Sequence, residues 1–137
     1  MISFTVPGKP IAKGRPRITA RGGFARSYTP AKTVAYEGLV ALAGETAMGG
    51  LAPLTGPLKL RVVATFPIAE SWNKAKKAGA LAGSIRHTGK PDADNILKAI
   101  GDGLNAVVWA DDSQIVEATI VKQYGAFPGV LVEVAGW

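Results

Sequence analysis

All five aspartates of the chain fall between residues 92 and 112. They lie in KPDADNILKAIGD and, a little later, WADDSQI, as Asp92, Asp94, Asp102, Asp111 and Asp112. Carboxylates gathered this way repel one another unless a cation neutralises them, and oxygen ligands without nearby Cys or His suit Mg2+ or Mn2+. Lys98 stands one helical turn after Asp94 and one before Asp102, on nearly the same azimuth. His87 adjoins the cluster, but a single His in a basic loop reads more readily as a phosphate contact or a bystander than as a ligand. Each residue also has a structural role open to it. Asp94 can cap a helix, Asp92 can serve a turn after Pro91, Asp111-Asp112-Ser113 can form a turn, and Lys98 can pair with Asp94 or Asp102.

Other carboxylate motifs do not fit. An EF-hand loop starting at Asp92 would need an oxygen ligand and a Gly where Ile96 and Leu97 stand. Nucleotide-sugar transferases and aspartyl-phosphate phosphatases use an Asp-x-Asp in larger folds, and the phosphatase type wants an apolar strand where this chain has HTGKP. A Walker A loop is absent, which removes ATP-driven chemistry from consideration. Metal-assisted hydrolysis of a phosphodiester remains.

Charge supports a polyanionic partner. The chain has a net charge of +6 and a pI near 9.8, and no basic amphipathic helix directs that charge toward a lipid surface. Residues 1–36 hold Lys9, Lys13, Arg15, Arg17, Arg21, Arg26 and Lys32 without an acid; residues 71–91 hold Lys74, Lys76, Lys77, Arg86 and Lys90, again without one. Both segments are rich in Gly and Pro, so backbone can approach a phosphate closely and arginine can grip it bidentately. Such contacts track a nucleic-acid backbone without reading bases.

The elements that must position these groups follow from periodicity. Residues 2–6 alternate as a strand, and the pieces flanking Gly22-Gly23 suggest a β-ribbon or a loop. Thr29-Pro30 starts a helix that Gly49-Gly50 stops, with Val34, Leu39, Leu42 and Ala43 as its apolar face. Residues 58–66 alternate as a strand, and residues 71–91 read as a loop with at most a short helix. Ile96, Leu97, Ile100, Leu104, Val107 and Val108 mark the buried stripe of a second main helix, opposite Asp94, Lys98, Asp102 and Asn105. Gly101 and Gly103 each weaken that helix by about 1 kcal/mol relative to Ala, so packing must hold it. If residues 92–94 are extended, Asp92 and Asp94 project to one side about 7 Å apart. Residues 115–124 and 130–134 complete the strands. The expected fold is α+β: one domain over residues 1–137, with two main helices packed on a mixed sheet of about four strands. With no Cys, no basic-then-apolar leader and no run of about 20 apolar residues, a soluble cytoplasmic protein is expected.

KPDADNILKAIGDGLN followed by VVWADDSQI resembles the signature of the RusA family of Holliday junction resolvases, small phage and prophage endonucleases. GKPIAKGRPR and SYTPAKTVAYE are similar to that family too, while Gly101 and Gly103 depart from its more usual non-glycine residues. The resemblance implies metal-binding carboxylates at Asp92, Asp94 and Asp112, a secondary one at Asp111, and a catalytic lysine at Lys98. It also implies Mg2+ (Mn2+ as a substitute), a homodimer acting on four-way junction DNA by paired nicks, and a part in recombination and repair. A DNA-binding protein without catalysis and a general metal-dependent nuclease stand as alternatives.

Overall fold

Alternation along LKLRVVATF sends Leu58, Leu60, Val62, Ala64 and Phe66 to one side and Lys59 and Arg61 to the other. In a computed structural model these residues form β4 (Leu58–Phe66), the third strand of a four-stranded mixed sheet. The structure describes residues 1–12 and 31–137, and between them only the antiparallel backbone pairing of β2 (Arg17–Thr19) with β3 (Arg26–Tyr28). That pairing is the ribbon expected around Gly22-Gly23; Thr29-Pro30, expected to start the first helix, lie outside the described residues.

The sheet runs in the order β1 (Ile2–Pro7), β6 (Gly129–Gly136), β4, β5 (Ile115–Tyr124). β6 pairs antiparallel with β1 and with β4, whereas β4 and β5 are parallel. A parallel pair needs a crossover. It is made by α2 (Lys74–Ala82) and α3 (Ala93–Leu104), and α1 (Ala31–Met48) packs beside α3 over the buried sheet face. On the opposite face Arg61 lies directly across from Glu133, with Nη1 2.7 Å from Oε1. The α+β fold with a four-stranded mixed sheet and two main helices, α1 and α3, is as expected, with α2 as a short third.

Two expectations change. The face that α1 buries is Thr33, Tyr36, Val40, Gly44 and Met48, with Ala43 packed partly against the core, and not Val34, Leu39 and Leu42. Val34 and Leu42 are 55% and 60% exposed. The reason is close helix packing: a Cβ on Gly44 would lie 2.6 Å from Leu104 Cδ2, and one on Gly103 would lie 2.8 Å from Val40 Cγ1. Small residues at the crossing carry little hydropathy, so the apolar pattern pointed at the wrong side. The basic stretch before the aspartates, read as a loop with at most a short helix, holds one of nine residues, α2. Asn73 Oδ1 caps it by accepting from Lys76 N at 2.8 Å, and Gly83, at φ 84°, ends it. α3 stops at Leu104, short of Val107 and Val108, although Val108 stays buried in the turn that follows.

Candidate active site

The Lys90–Pro91 peptide is cis, and Asp92 takes the N-cap position of α3 with extended backbone, φ −71° and ψ 154°. Its carbonyl accepts from Ile96 N at 3.1 Å, but its carboxylate makes no capping hydrogen bond. A capping aspartate ordinarily turns its carboxylate onto the first-turn N–H groups; this one does not. Asp94, expected at or near the cap with Asp92 extended beside it, lies inside the first helical turn instead. There the helix dipole favours its negative charge. Both aspartates are exposed.

One turn further, Lys98 Nζ lies 2.9 Å from Asp102 Oδ1 and 3.9 Å from Asp112 Oδ2. Asp112 comes from the start of a 3-10 turn (Asp112–Gln114) that leads into β5, so the parallel crossover brings the second aspartate motif against the middle of α3. Gly101 makes the approach close: a Cβ there would meet Asp112 Oδ2 at 3.0 Å. The Lys98 side chain is 57% exposed and Asp102 19%, and an ion pair with its ammonium in solvent adds modest stability. Their geometry therefore matters for placing charge more than for holding the fold.

Asp111 and Asp112 differ in what they touch. Asp111 Oδ2 accepts from Ser113 Oγ at 2.6 Å, whereas Asp112 Oδ2 is directed toward Lys98. Gln114 explains why the motif ends as it does. Its Oε1 accepts from Ala110 N at 2.9 Å and Asp111 N at 3.2 Å, and its Nε2 donates to Leu54 O and Gly56 O at 3.0 and 3.1 Å. The side chain ties the aspartate turn to the segment before β4. Trp109, fully buried, donates from Nε1 to Asn105 Oδ1 at 2.9 Å and anchors the same turn from the other side.

Among the described residues no three His, Cys, Asp or Glu side chains close around a single point. The donor set is all oxygen, with the Asp92 carboxylate free of a capping bond. That set fits a Mg2+-like ion, which is commonly held by one or two carboxylates with waters and substrate phosphates completing its shell.

The structure gathers part of the predicted basic set. Lys9 and Lys90 line one hollow, and Lys76 Nζ lies 4.0 Å above the Trp72 ring. Lys74 and Lys77 are on α2. Arg86 spends an N–H of Nη2 on Lys122 O at 2.9 Å, so it has a structural contact alongside any to phosphate. Lys13, Arg15 and Arg21 lie outside the described residues, and Arg17 and Arg26 are placed by backbone alone. Two residues outside the predicted set belong to this region. Asp102 holds Lys98, for which its i,i+4 spacing was the signal, and Lys122 Nζ donates to Gly89 O at 2.7 Å, for which the sequence carries none. No helix among the described residues is long and apolar enough to cross a membrane.

The chain is 38% identical over 133 residues to an uncharacterized protein, YqaN, of Bacillus subtilis (strain 168), an alignment covering 96% of this chain and 93% of that one. The family model described as endodeoxyribonuclease RusA matches residues 7–135. With nearly the whole chain matched and the aspartate motifs inside the match, this protein belongs to the RusA family of endodeoxyribonucleases.

Proposed function

We propose that residues 1–137 act as one divalent-metal-dependent endonuclease domain that resolves four-way (Holliday) junctions by paired symmetric nicks during DNA recombination and repair. Family membership supports endodeoxyribonuclease activity on junction DNA. The observation that carries the reading on to these residues is Lys98, held between Asp102 and Asp112 one turn after Asp94. In this reading Asp92, Asp94 and Asp112 hold Mg2+, with Mn2+ as a substitute. Asp111 is secondary because Ser113 already occupies its Oδ2. When bound, the ion activates water and neutralises charge at the scissile phosphate.

The chain's own residues do the rest. Lys98 sets an ammonium group where negative charge grows on the phosphate, and a charge fixed in place beforehand has no reorganisation to undergo during the reaction. Asp102 positions that ammonium from 2.9 Å. The basic residues Lys9, Lys74, Lys76, Lys77, Arg86 and Lys90, with Lys13, Arg15, Arg17, Arg21 and Arg26 of the ribbon region, track phosphates and set register. A four-way junction has two equivalent strands to cut, which an isologous homodimer with two such sites matches. The working compartment is the cytoplasm of a bacterial or phage-infected cell.

The test is incubation of the protein with Mg2+ and a labelled four-way junction, a linear duplex and a single strand of related sequence. Paired symmetric nicks, made preferentially in the junction, support the proposal. Equal cutting of all three would make the protein a general nuclease, and tight junction binding without cleavage under either ion would make it a binding protein.

A further inference from the structure

Four rings from four segments converge where the parallel strands β4 and β5 end. Phe66 and Tyr124 close the two strands and are paired in register. His87, from the connection between α2 and α3, stacks on Phe66 with ring centroids 3.6 Å apart and planes 9° from parallel. Trp72, ahead of α2, meets Tyr124 edge-on at 5.2 Å and 71°. Phe66 is 1% exposed and belongs to the core, but Trp72, His87 and Tyr124 are only half-buried. They leave between them a hollow of about 170 Å³, whose rim carries Lys9 and Lys90.

Size, lining and place each narrow the occupant. Liquid water takes about 30 Å³ per molecule, so the hollow has room for about five or six waters. It is smaller than the roughly 300 Å³ at which drug-sized ligand pockets begin. One flat ring fits; a whole nucleotide does not. A hollow walled by aromatic faces and edges favours a planar guest, and two ammonium groups at its mouth favour one attached to anions. Burial and the charges of Lys122 and Lys9 hold the His87 imidazole below its ordinary range, so at neutral pH it is an uncharged stacking surface. Its Nδ1 is buried and has no hydrogen-bond partner among the described residues. Crevices at the carboxyl ends of parallel strands are also where α/β sheets commonly bind ligands.

Lys90 is two residues ahead of Asp92, a path of at most about 8 Å at 3.8 Å per residue. The hollow that Lys90 lines is therefore adjacent to the aspartates along the chain, close enough for neighbouring nucleotides of one strand to engage both. We propose that it receives one unstacked base of the DNA strand, with the neighbouring phosphates on Lys9 and Lys90, and so fixes the position of the strand relative to the aspartates. This rests on the reading of the chain as an endonuclease of DNA and adds a base-binding subsite to it.

The experiment is an abasic scan. Four-way junctions each lacking one base, at successive positions around the cut, are titrated in Ca2+ by fluorescence anisotropy against wild type, Trp72→Ala and Trp72→Phe. Wild type should lose about 5- to 150-fold in affinity at one position, the range set by stacking of a base on an aromatic side chain. Trp72→Ala should bind the intact junction correspondingly less tightly and lose nothing further at that position. Trp72→Phe, which keeps a ring, should retain most of the wild-type sensitivity. Wild-type affinity indifferent to every abasic position, or losses from Trp72→Ala and base removal that simply add, would overturn the subsite. Cleavage of the unmodified junction in Mg2+ is scored separately, so failure of the endonuclease reading shows as absent cutting whatever the scan reports.

Discussion

Replacing Gly101 by Ala should make the protein more stable and less active. The added Cβ would stand 3.0 Å from Asp112 Oδ2, while Asp112 Cβ and Cγ, at 3.6 and 3.7 Å, would be in ordinary contact. Against the 3.4 Å at which ordinary contact begins, only the carboxylate oxygen is crowded, by 3.4 − 3.0 = 0.4 Å. A partly exposed carboxylate relieves that by rotating, at little cost. The helix gains about 1 kcal/mol from the change of Gly to Ala, a rise of about 3–5 °C in Tm for a chain of this size. Cleavage should nonetheless fall, because the oxygen that moves is the one directed at Lys98. A misplacement of about 1 Å in a catalytic constellation can cost about 100-fold, so a shift of this size should cost on the order of 10-fold. Thermal denaturation and single-turnover cleavage of a labelled junction, on the same preparation, read the two effects. A variant that is stabilised and cuts at the wild-type rate would refute the role given to Asp112 Oδ2; a destabilised variant would refute the softness of the contact.

The same substitution two residues on should do the opposite. In Gly103→Ala the new Cβ would meet Val40 Cγ1 at 2.8 Å and the Glu37 carbonyl oxygen at 3.2 Å, so α1 must shift; overpacking of about 1–3 kcal/mol outweighs the propensity gain, and Tm should drop by several degrees. An unchanged or higher Tm would contradict the close α1–α3 crossing. Lys98→Ala should cost no more than about 1 kcal/mol of stability, since the ammonium side chain is 57% exposed although Asp102 is only 19% exposed, yet lose cleavage by at least about 100-fold, with urea denaturation and junction cleavage as the paired readouts. His87 gives a pH signature. Its pKa in the folded chain is held below 6.5 by burial and then by Lys122, so the unfolded chain takes up the proton first. Stability is therefore full above about pH 6.5 and declines as the pH falls through and below that value. Melting curves between about pH 7.5 and 5 should show the decline in wild type and a flatter profile in His87→Gln; identical profiles would show that His87 does not cause it.

What the sequence disclosed and what it concealed divide along physical lines. Strand β4 was legible because a half-buried strand writes its period directly into alternation, and α3 because its apolar residues share one stripe. The α1 face was not, because Gly44 and Gly103 carry the crossing by lacking side chains, which no hydropathy pattern records. Helix α2 was faint because a polar cap at Asn73 and a left-handed Gly83 define it more than apolar spacing does. In the site, the shared face of Asp94, Lys98 and Asp102 followed from i,i+4 geometry alone. That Asp112 would reach Lys98 did not, since it depends on the crossover returning β5 beside β4 and on the space left at Gly101. Nor did the four-ring hollow, whose members are spread from Phe66 to Tyr124 and meet only through sheet register.

In the proposed function the aspartates around α3 act on the phosphate through a bound divalent ion rather than holding the helix or gripping DNA, a role open to direct test. It is tested most directly by single-turnover cleavage of a labelled four-way junction by Asp94→Asn in Mg2+, with junction affinity measured in Ca2+ on the same preparation. Cleavage should be lower by at least about 100-fold, as loss of several kcal/mol of charge stabilisation requires, with affinity and Tm close to wild type. Cleavage near the wild-type rate, or loss of cutting accompanied by an equal loss of stability, would contradict it.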